Sequence, residues 1–278
     1  MTISDGWLHD LGMELRRRGV PGGTADHVVA EAATHLRDSG EPPMAAFGPA
    51  AAYAAVVSDS VGDAWRRARR PVPGSVRLRA RGITKRYRRR EVLTGVDLTV
   101  YAGQVAAVVG ANGCGKSTFL RICAGLISPD KGTVQVDGSI GYCPQDGGTI
   151  EFLRPEEHFV LVGGGRDWPR ERSRAMGRAA AATLDWDPST PELSRHLSGG
   201  TRQKLNLIMA GLGDPDVLLL DEPYQGFDRG TYVDFWQQVW RWRDNGRAVV
   251  VVTHMLTQFD LVDTVLDLSG ADQGRRSQ

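Results

Sequence analysis

At 278 residues and 30.2 kDa, with 41% hydrophobic and 24% charged residues, the chain has room for one large folded domain and a small one. The balance of 34 Lys+Arg against 33 Asp+Glu excludes a globally basic nucleic-acid binder, and the ordinary apolar content excludes a disordered tail protein. The apolar stretch nearest to a spanning helix, residues 44–57, is broken by Gly48 and Pro49, so no membrane-crossing segment is expected. The opening MTISDGWLHD lacks the basic start and apolar run of a secretory signal, which makes folding in the cytoplasm the expectation. Cys114, Cys123 and Cys143 form no C-x-x-C pair and read as reduced thiols rather than a disulfide or zinc framework.

The front of the chain reads as helical. Leu8, Leu11 and Leu15 share one helix face, Val28 or Val29, Ala32 and Leu36 repeat that spacing after the N-cap candidate Thr24, and Phe47-Gly48-Pro49 marks a stop followed by a new start. Charge then sets a boundary. Residues 1–65 carry four Arg against nine Asp and Glu, whereas residues 66–90 carry eleven Arg and one Lys with no acid. Paired prolines at 71 and 73 followed by Gly74 give that basic run the character of a linker. The expected organisation is a small all-α domain over residues 1–65, a basic Pro/Gly linker over 66–75, a large domain over 76–270 and a flexible tail over 271–278.

Beyond residue 74, compact apolar runs at Val105–Val109, Val217–Leu220 and Ala248–Val252 predict strands buried on both faces. Helical stretches at Lys116–Gly125, Arg170–Leu184, Thr201–Leu212 and Gly230–Asp244 alternate with them, which predicts an α/β domain with a mainly parallel sheet. The cluster Phe235, Trp236, Trp240 and Trp242 reads as core packing, because only Arg241 and Arg243 interleave it.

The first of these strands runs directly into Gly110-Ala111-Asn112-Gly113-Cys114-Gly115-Lys116-Ser117-Thr118, a full G-x-x-x-x-G-K-S that opens a helix. Glycines there let backbone N–H groups wrap phosphates at a helix N-terminus, Lys116 neutralises β/γ oxygens, and Ser117 is placed to hold Mg²⁺. A site of this kind also needs a carboxylate at the end of a buried strand. Asp221, closing Val217-Leu218-Leu219-Leu220, supplies it for the metal, and Glu222 beside it is placed to polarise the water that attacks the γ-phosphate. Cys114 reads either as a packing residue or as a thiol activated by the helix N-terminus.

Between these motifs lies Leu197-Ser198-Gly199-Gly200-Thr201, followed by Arg202-Gln203-Lys204, which resembles the signature of ABC-type ATPases. The resemblance covers residues 76 to about 270. It implies a P-loop NTPase of ABC ATPase type, with an antiparallel β subdomain and a helical subdomain, that binds ATP and Mg²⁺. By position, it gives Tyr87 a stacking role on adenine, Gln145 a role toward Mg²⁺ and the attacking water, Asp228 communication across a dimer, and His254 sensing of the γ-phosphate. It further implies a head-to-tail dimer with ATP held between one subunit's phosphate loop and the other's Ser198-Gly199-Gly200. Thr201 stands where the signature usually carries Gln.

The run Gly199-Gly200-Thr201-Arg202-Gln203-Lys204 resembles the exporter branch of the family, and implies a subunit docked on a separate integral membrane permease at the inner face of the cell membrane. Phe152, Phe159 and Leu161 are candidate permease contacts, with internal packing as their alternative. A soluble ABC ATPase acting on ribosomes or nucleic acid is the rival reading, supported by the basic block 66–90, which also suits anionic headgroups or a solvated strand face. No nucleic-acid partner is expected. The front segment, with Ala45-Ala46-Phe47-Gly48-Pro49-Ala50-Ala51-Ala52-Tyr53, resembles the small helical domain named HAAS, which implies a regulatory or docking role.

Overall fold

The computed structural model describes residues 3–18, 20, 25–26, 28–30, 32–33, 36, 42–55, 57–58, 74–88, 90–253 and 262–269. They form two compact units, the first built from residues before position 71. His254, the tail 271–278 and the linker up to residue 73 lie outside the described residues.

In the first unit, α1 (Ile3–Arg17) buries Trp7, Leu11 and Leu15, a stripe with one residue per helical turn. Trp7 takes the buried place expected of Leu8, which is only half-buried. Its indole N–H donates to the Gly48 carbonyl at 2.9 Å, and its ring stacks on Phe47 with centroids 5.3 Å apart. After the short α2 (Pro43–Ala46), Gly48 turns the chain at φ 68°, and Tyr53 closes the aromatic trio 5.9 Å from Trp7. Val28, Ala32 and Leu36 join this core as their spacing predicts.

The second unit opens with the antiparallel strands β1 (Val76–Tyr87) and β2 (Arg90–Tyr101). On β1, Leu78 and Ala80 face the core while Arg77, Arg79 and Arg81 alternate away from it, so the basic block of the sequence continues as a strand face. Next come β3 (Val105–Val109), α3 (Lys116–Cys123), β4 (Lys131–Val136) and β5 (Ile140–Cys143). Helices α4 (Pro155–Gly164), α5 (Arg170–Ala182) and α6 (Gly199–Gly211) follow. The chain returns through β6 (Val217–Asp221), α7 (Arg229–Asp244), β7 (Ala248–Val252) and β8 (Thr264–Asp267).

One sheet has the order β2-β1-β4 and is antiparallel; the other has the order β5-β6-β7-β3-β8 and every pair in it is parallel. Strands β3, β6 and β7 are buried at all positions, as the apolar runs predict. Leu78, Ile83 and Leu93 of the first sheet share a core with Val108, Leu219 and Val250 of the second and with Phe119 and Leu120 of α3. Because Val108 and Asp221 both pair with Val252, the C-terminal ends of β3, β6 and β7 lie level. That register delivers the loop at Gly110, the acids at 221 and 222 and the segment after Val252 to one rim, where ligands of open parallel sheets bind.

Two side-chain assignments follow from the packing. Phe235, Trp236, Trp240 and Trp242 are all buried, and Trp236 stacks on Trp240 at 5.4 Å. Phe159 is fully buried, because α5 presents Gly177 to its ring and leaves no room there for a Cβ. It therefore leaves the proposed contact surface, on which Phe152 and Leu161 remain exposed at 68% and 55%. Among the described residues, no helix is long and apolar enough to cross a membrane.

Candidate nucleotide site

The phosphate loop is set by its last glycine. Gly115 caps α3 at φ 109°, and a Cβ there would lie 2.8 Å from the side chains of Val92 and Leu93, so only glycine fits both the dihedral and the space. No side chain caps α3, which leaves its first N–H groups for an anion. Lys116 is buried and folded back, its Nζ donating to the carbonyls of Gly110 at 2.9 Å and Ala111 at 3.1 Å. Asn112 and Gly113 are exposed, Cys114, Ser117 and Thr118 are half-buried, and Arg90 donates to the Gly113 carbonyl at 3.2 Å.

At the end of β6, Asp221 is fully buried, and among the described residues neither of its carboxylate oxygens has a partner at full hydrogen-bond geometry. Burial pushes its pKa up and the neighbouring Glu222 charge adds to this, while Ser117, Arg121 and Lys116 pull it down. A buried carboxylate with both oxygens so placed, next to a serine hydroxyl, fits the oxygen-donor needs of Mg²⁺. Glu222 follows in the left-handed region at φ 47°. The Gln145 side-chain amide donates to its carboxylate at 3.1 Å, so the residues predicted for metal and water meet in the fold across 77 positions of sequence.

The loop carrying Gln145 is gripped by buried side chains of the helices beside it. Gln203 donates to the Pro144 carbonyl at 3.1 Å and Asn206 to the Gly147 carbonyl at 2.9 Å, both from α6. From α4, His158 accepts the Ile150 N–H on Nε2 at 2.8 Å, which places its proton on Nδ1, 2.9 Å from the Arg154 carbonyl. Burial lowers the His158 pKa, so below about pH 6.5 the unfolded chain takes up a proton that the folded one refuses. Stability contributed by neutral His158 is complete above that pH and is lost as pH falls toward the depressed folded value. The urea midpoint is expected to drop further between pH 7.5 and 5.5 in the parent protein than in His158→Gln; equal drops would remove this account.

Ser198 caps α6, accepting the Thr201 N–H at 3.1 Å, and its Oγ lies 2.8 Å from Thr201 Oγ1. Gly200 packs so closely on the Gly226 carbonyl that a Cβ would collide with it, which holds the signature beside the segment leading to Asp228. Asp228 in turn caps α7, accepting the Thr231 N–H at 2.9 Å, and that bond holds its carboxyl below the usual range. Among the described residues, no hydrogen bond joins Ser198, Gly199 or Gly200 to the phosphate loop of the same chain. Tyr87 ends β1 with its ring 48% exposed, and Lys85 Nζ lies 5.8 Å from the ring centroid. Sequence reasoning passed over Gln203, Asn206, His158 and Tyr224. Each is a single polar or aromatic residue whose partner is fixed only by the tertiary fold.

The family pattern described as ABC transporter matches residues 93–225, the span from β2 to just past Glu222. The aliphatic sulfonates import ATP-binding protein SsuB 2 of Pseudomonas aeruginosa is 35% identical over 212 residues, 72% of each chain. The chain belongs to the ABC transporter family. It is an ABC transporter ATP-binding subunit, and its ABC domain is an ATPase. The cholesterol transporter ABCA5 of Rattus norvegicus is 30% identical over 207 residues, which are 68% of this chain and 12% of that larger protein. A bacterial ABC transporter cassette solved as a dimer shares the fold with a TM-score of 0.64 at 23% identity, over 69% of this chain and 94% of its own. The fold shared with these cassettes is the α/β architecture read from the motifs.

Proposed function

We propose that this ABC subunit hydrolyses Mg²⁺-ATP between two copies arranged head to tail and so powers a separate permease from the inner face of the cell membrane. The observation that carries the reading is the Gln145–Glu222 hydrogen bond beside the buried Asp221 carboxylate and Lys116. Backbone N–H groups of residues 110–116 cradle the phosphates, with Lys116 exchanging its loop carbonyls for phosphate oxygens. Asn112, Gly113, Cys114 and Thr118 line that cradle, and the exposed Tyr87 ring stacks on the base. Ser117, Asp221 and Gln145 would hold Mg²⁺, which supplies charge neutralisation at the phosphate oxygens. Glu222, oriented by the Gln145 amide, takes the proton of the attacking water, and His254 approaches the γ-phosphate from the segment after β7.

Ser198 caps the helix that Gly199 and Gly200 open, Ser198 and Gly199 are exposed, and among the described residues none of the three bonds its own phosphate loop, which suits closure of a partner subunit's ATP. The ABC cassette of known dimeric structure supports that assembly. Exposed Ile150, Phe152 and Leu161 form the surface offered to the permease. The aliphatic sulfonate import subunit matches at 35% identity over 72% of each chain, whereas the ABCA5 match covers 12% of that protein, so the relatives favour an import-type subunit over the exporter branch that the signature run resembles. Part of the basic block that favours the nucleic-acid reading is paired with acids. Arg77, Lys85 and Arg86 of the basic block face Asp137, Asp130 and Glu91 at 3.0, 3.0 and 3.9 Å. Residues 1–65 form a small helical regulatory or docking domain ahead of the cassette.

Gentle solubilisation of native membranes and capture of the tagged protein with ATP tests the reading. A stoichiometric multi-spanning protein is expected. Ribosomes or nucleic acid without any membrane protein would overturn it.

A further inference from the structure

We propose that the Tyr224 hydroxyl is a positioning latch that holds the Glu222 turn in its working geometry through Thr253. The proposal rests on the reading of Glu222 as the general base. Glu222 sits at φ 47°, a backbone conformation that residues with a Cβ rarely adopt and that persists only where the surroundings hold it. Within the turn, the Gln225 N–H donates to the Glu222 carbonyl at 3.2 Å and the Phe227 N–H to the Tyr224 carbonyl at 3.0 Å.

Tyr224 supplies the holding contacts from outside the turn. Its Oη lies 2.5 Å from Thr253 Oγ1, and its ring meets Tyr232 edge-on at 5.3 Å and Phe235 at 5.7 Å, both on α7. Thr253 is a firm anchor. It is buried, and its own N–H donates to the Val108 carbonyl at 3.2 Å, on the strand that runs two residues later into the phosphate loop. The connection therefore runs from Glu222 through Tyr224 and Thr253 to β3. It fixes the spacing between the base and the phosphates, the quantity to which in-line attack is most sensitive.

Steady-state ATP hydrolysis by the purified full chain tests this with near-isosteric changes. Tyr224→Phe keeps the ring packing and removes only the hydroxyl; Thr253→Val removes the other half, and Thr253→Ser keeps it. The expected result is a kcat about tenfold lower in Tyr224→Phe and in Thr253→Val, with KM for ATP unchanged and recovery in Thr253→Ser. The double variant Tyr224→Phe with Thr253→Val should be no slower than either single one, because both cut the same link. Parent-level kcat in Tyr224→Phe, a loss confined to KM or melting temperature, or losses that multiply in the double variant would overturn the latch. Tyr224→Phe decides alone if Thr253→Val does not fold. Full turnover in Glu222→Gln would overturn the reading of the base instead, whereas an inactive Glu222→Gln beside a fully active Tyr224→Phe removes the latch only.

Discussion

Replacing Glu222 with Gln is expected to cut ATP turnover by about 10²- to 10⁴-fold, the usual contribution of a positioned general base, while ATP binding is retained. The amide keeps the shape of the carboxylate and can still meet Gln145, which lies 3.1 Å away in the parent protein. What it loses is the capacity to take a proton from water. The phosphate loop, Lys116 and the Asp221 carboxylate are untouched, so the effect belongs in kcat and not in affinity. Rates in this variant within a few fold of the parent's would show that another group takes the proton. Measured side by side, single-turnover hydrolysis and fluorescent-nucleotide binding separate the two quantities.

Lys116→Ala is expected to act on the other quantity. In the structure Lys116 Nζ spends its hydrogen bonds on two loop carbonyls, at 2.9 and 3.1 Å, and is almost wholly buried by the loop around it. An ammonium so placed exchanges those neutral acceptors for charged phosphate oxygens when nucleotide arrives. Hydrogen bonds to charged groups contribute about 1.5–3 kcal/mol, so ATP affinity should fall roughly 10- to 100-fold. Nucleotide titration by calorimetry reads this directly. Unchanged affinity would mean that Lys116 remains with the loop carbonyls and takes no part in binding.

The parts of this protein that were legible in the sequence are those where one local pattern admits one structure. Val105–Val109 and Ala248–Val252 are strands because such short apolar runs are stable only when covered on both faces, and both are buried throughout. The phosphate loop was legible because its glycines, lysine and serine carry their chemistry in their spacing, and Gly115 shows the positive φ the motif requires. Lengths and faces were less legible. The run Phe159-Val160-Leu161-Val162 gives no period, and the room for the buried Phe159 ring comes from the glycine at 177 on a neighbouring helix, while Leu161 stays exposed. Trp7 is buried more deeply than Leu8, which packs at the edge of the same core, since a distant carbonyl at Gly48 rewards a buried indole.

The support of the site was not legible at all. Gln203 and Asn206 each bind a carbonyl 59 residues earlier in the chain, and Tyr224 meets a hydroxyl 29 residues later. Such contacts leave no periodicity and no motif. They also show why Gln145 has a defined place: its loop carbonyls accept bonds from side chains of α6, the helix that begins with the signature glycines.

Closure of two copies on ATP, as proposed for this subunit, is read most directly in the mass of Glu222→Gln in solution. Analytical ultracentrifugation of this variant with Mg²⁺-ATP is expected to give a dimer that returns to monomer with Mg²⁺-ADP. A monomer under both conditions, at concentrations where ATP is shown to be bound, would contradict it.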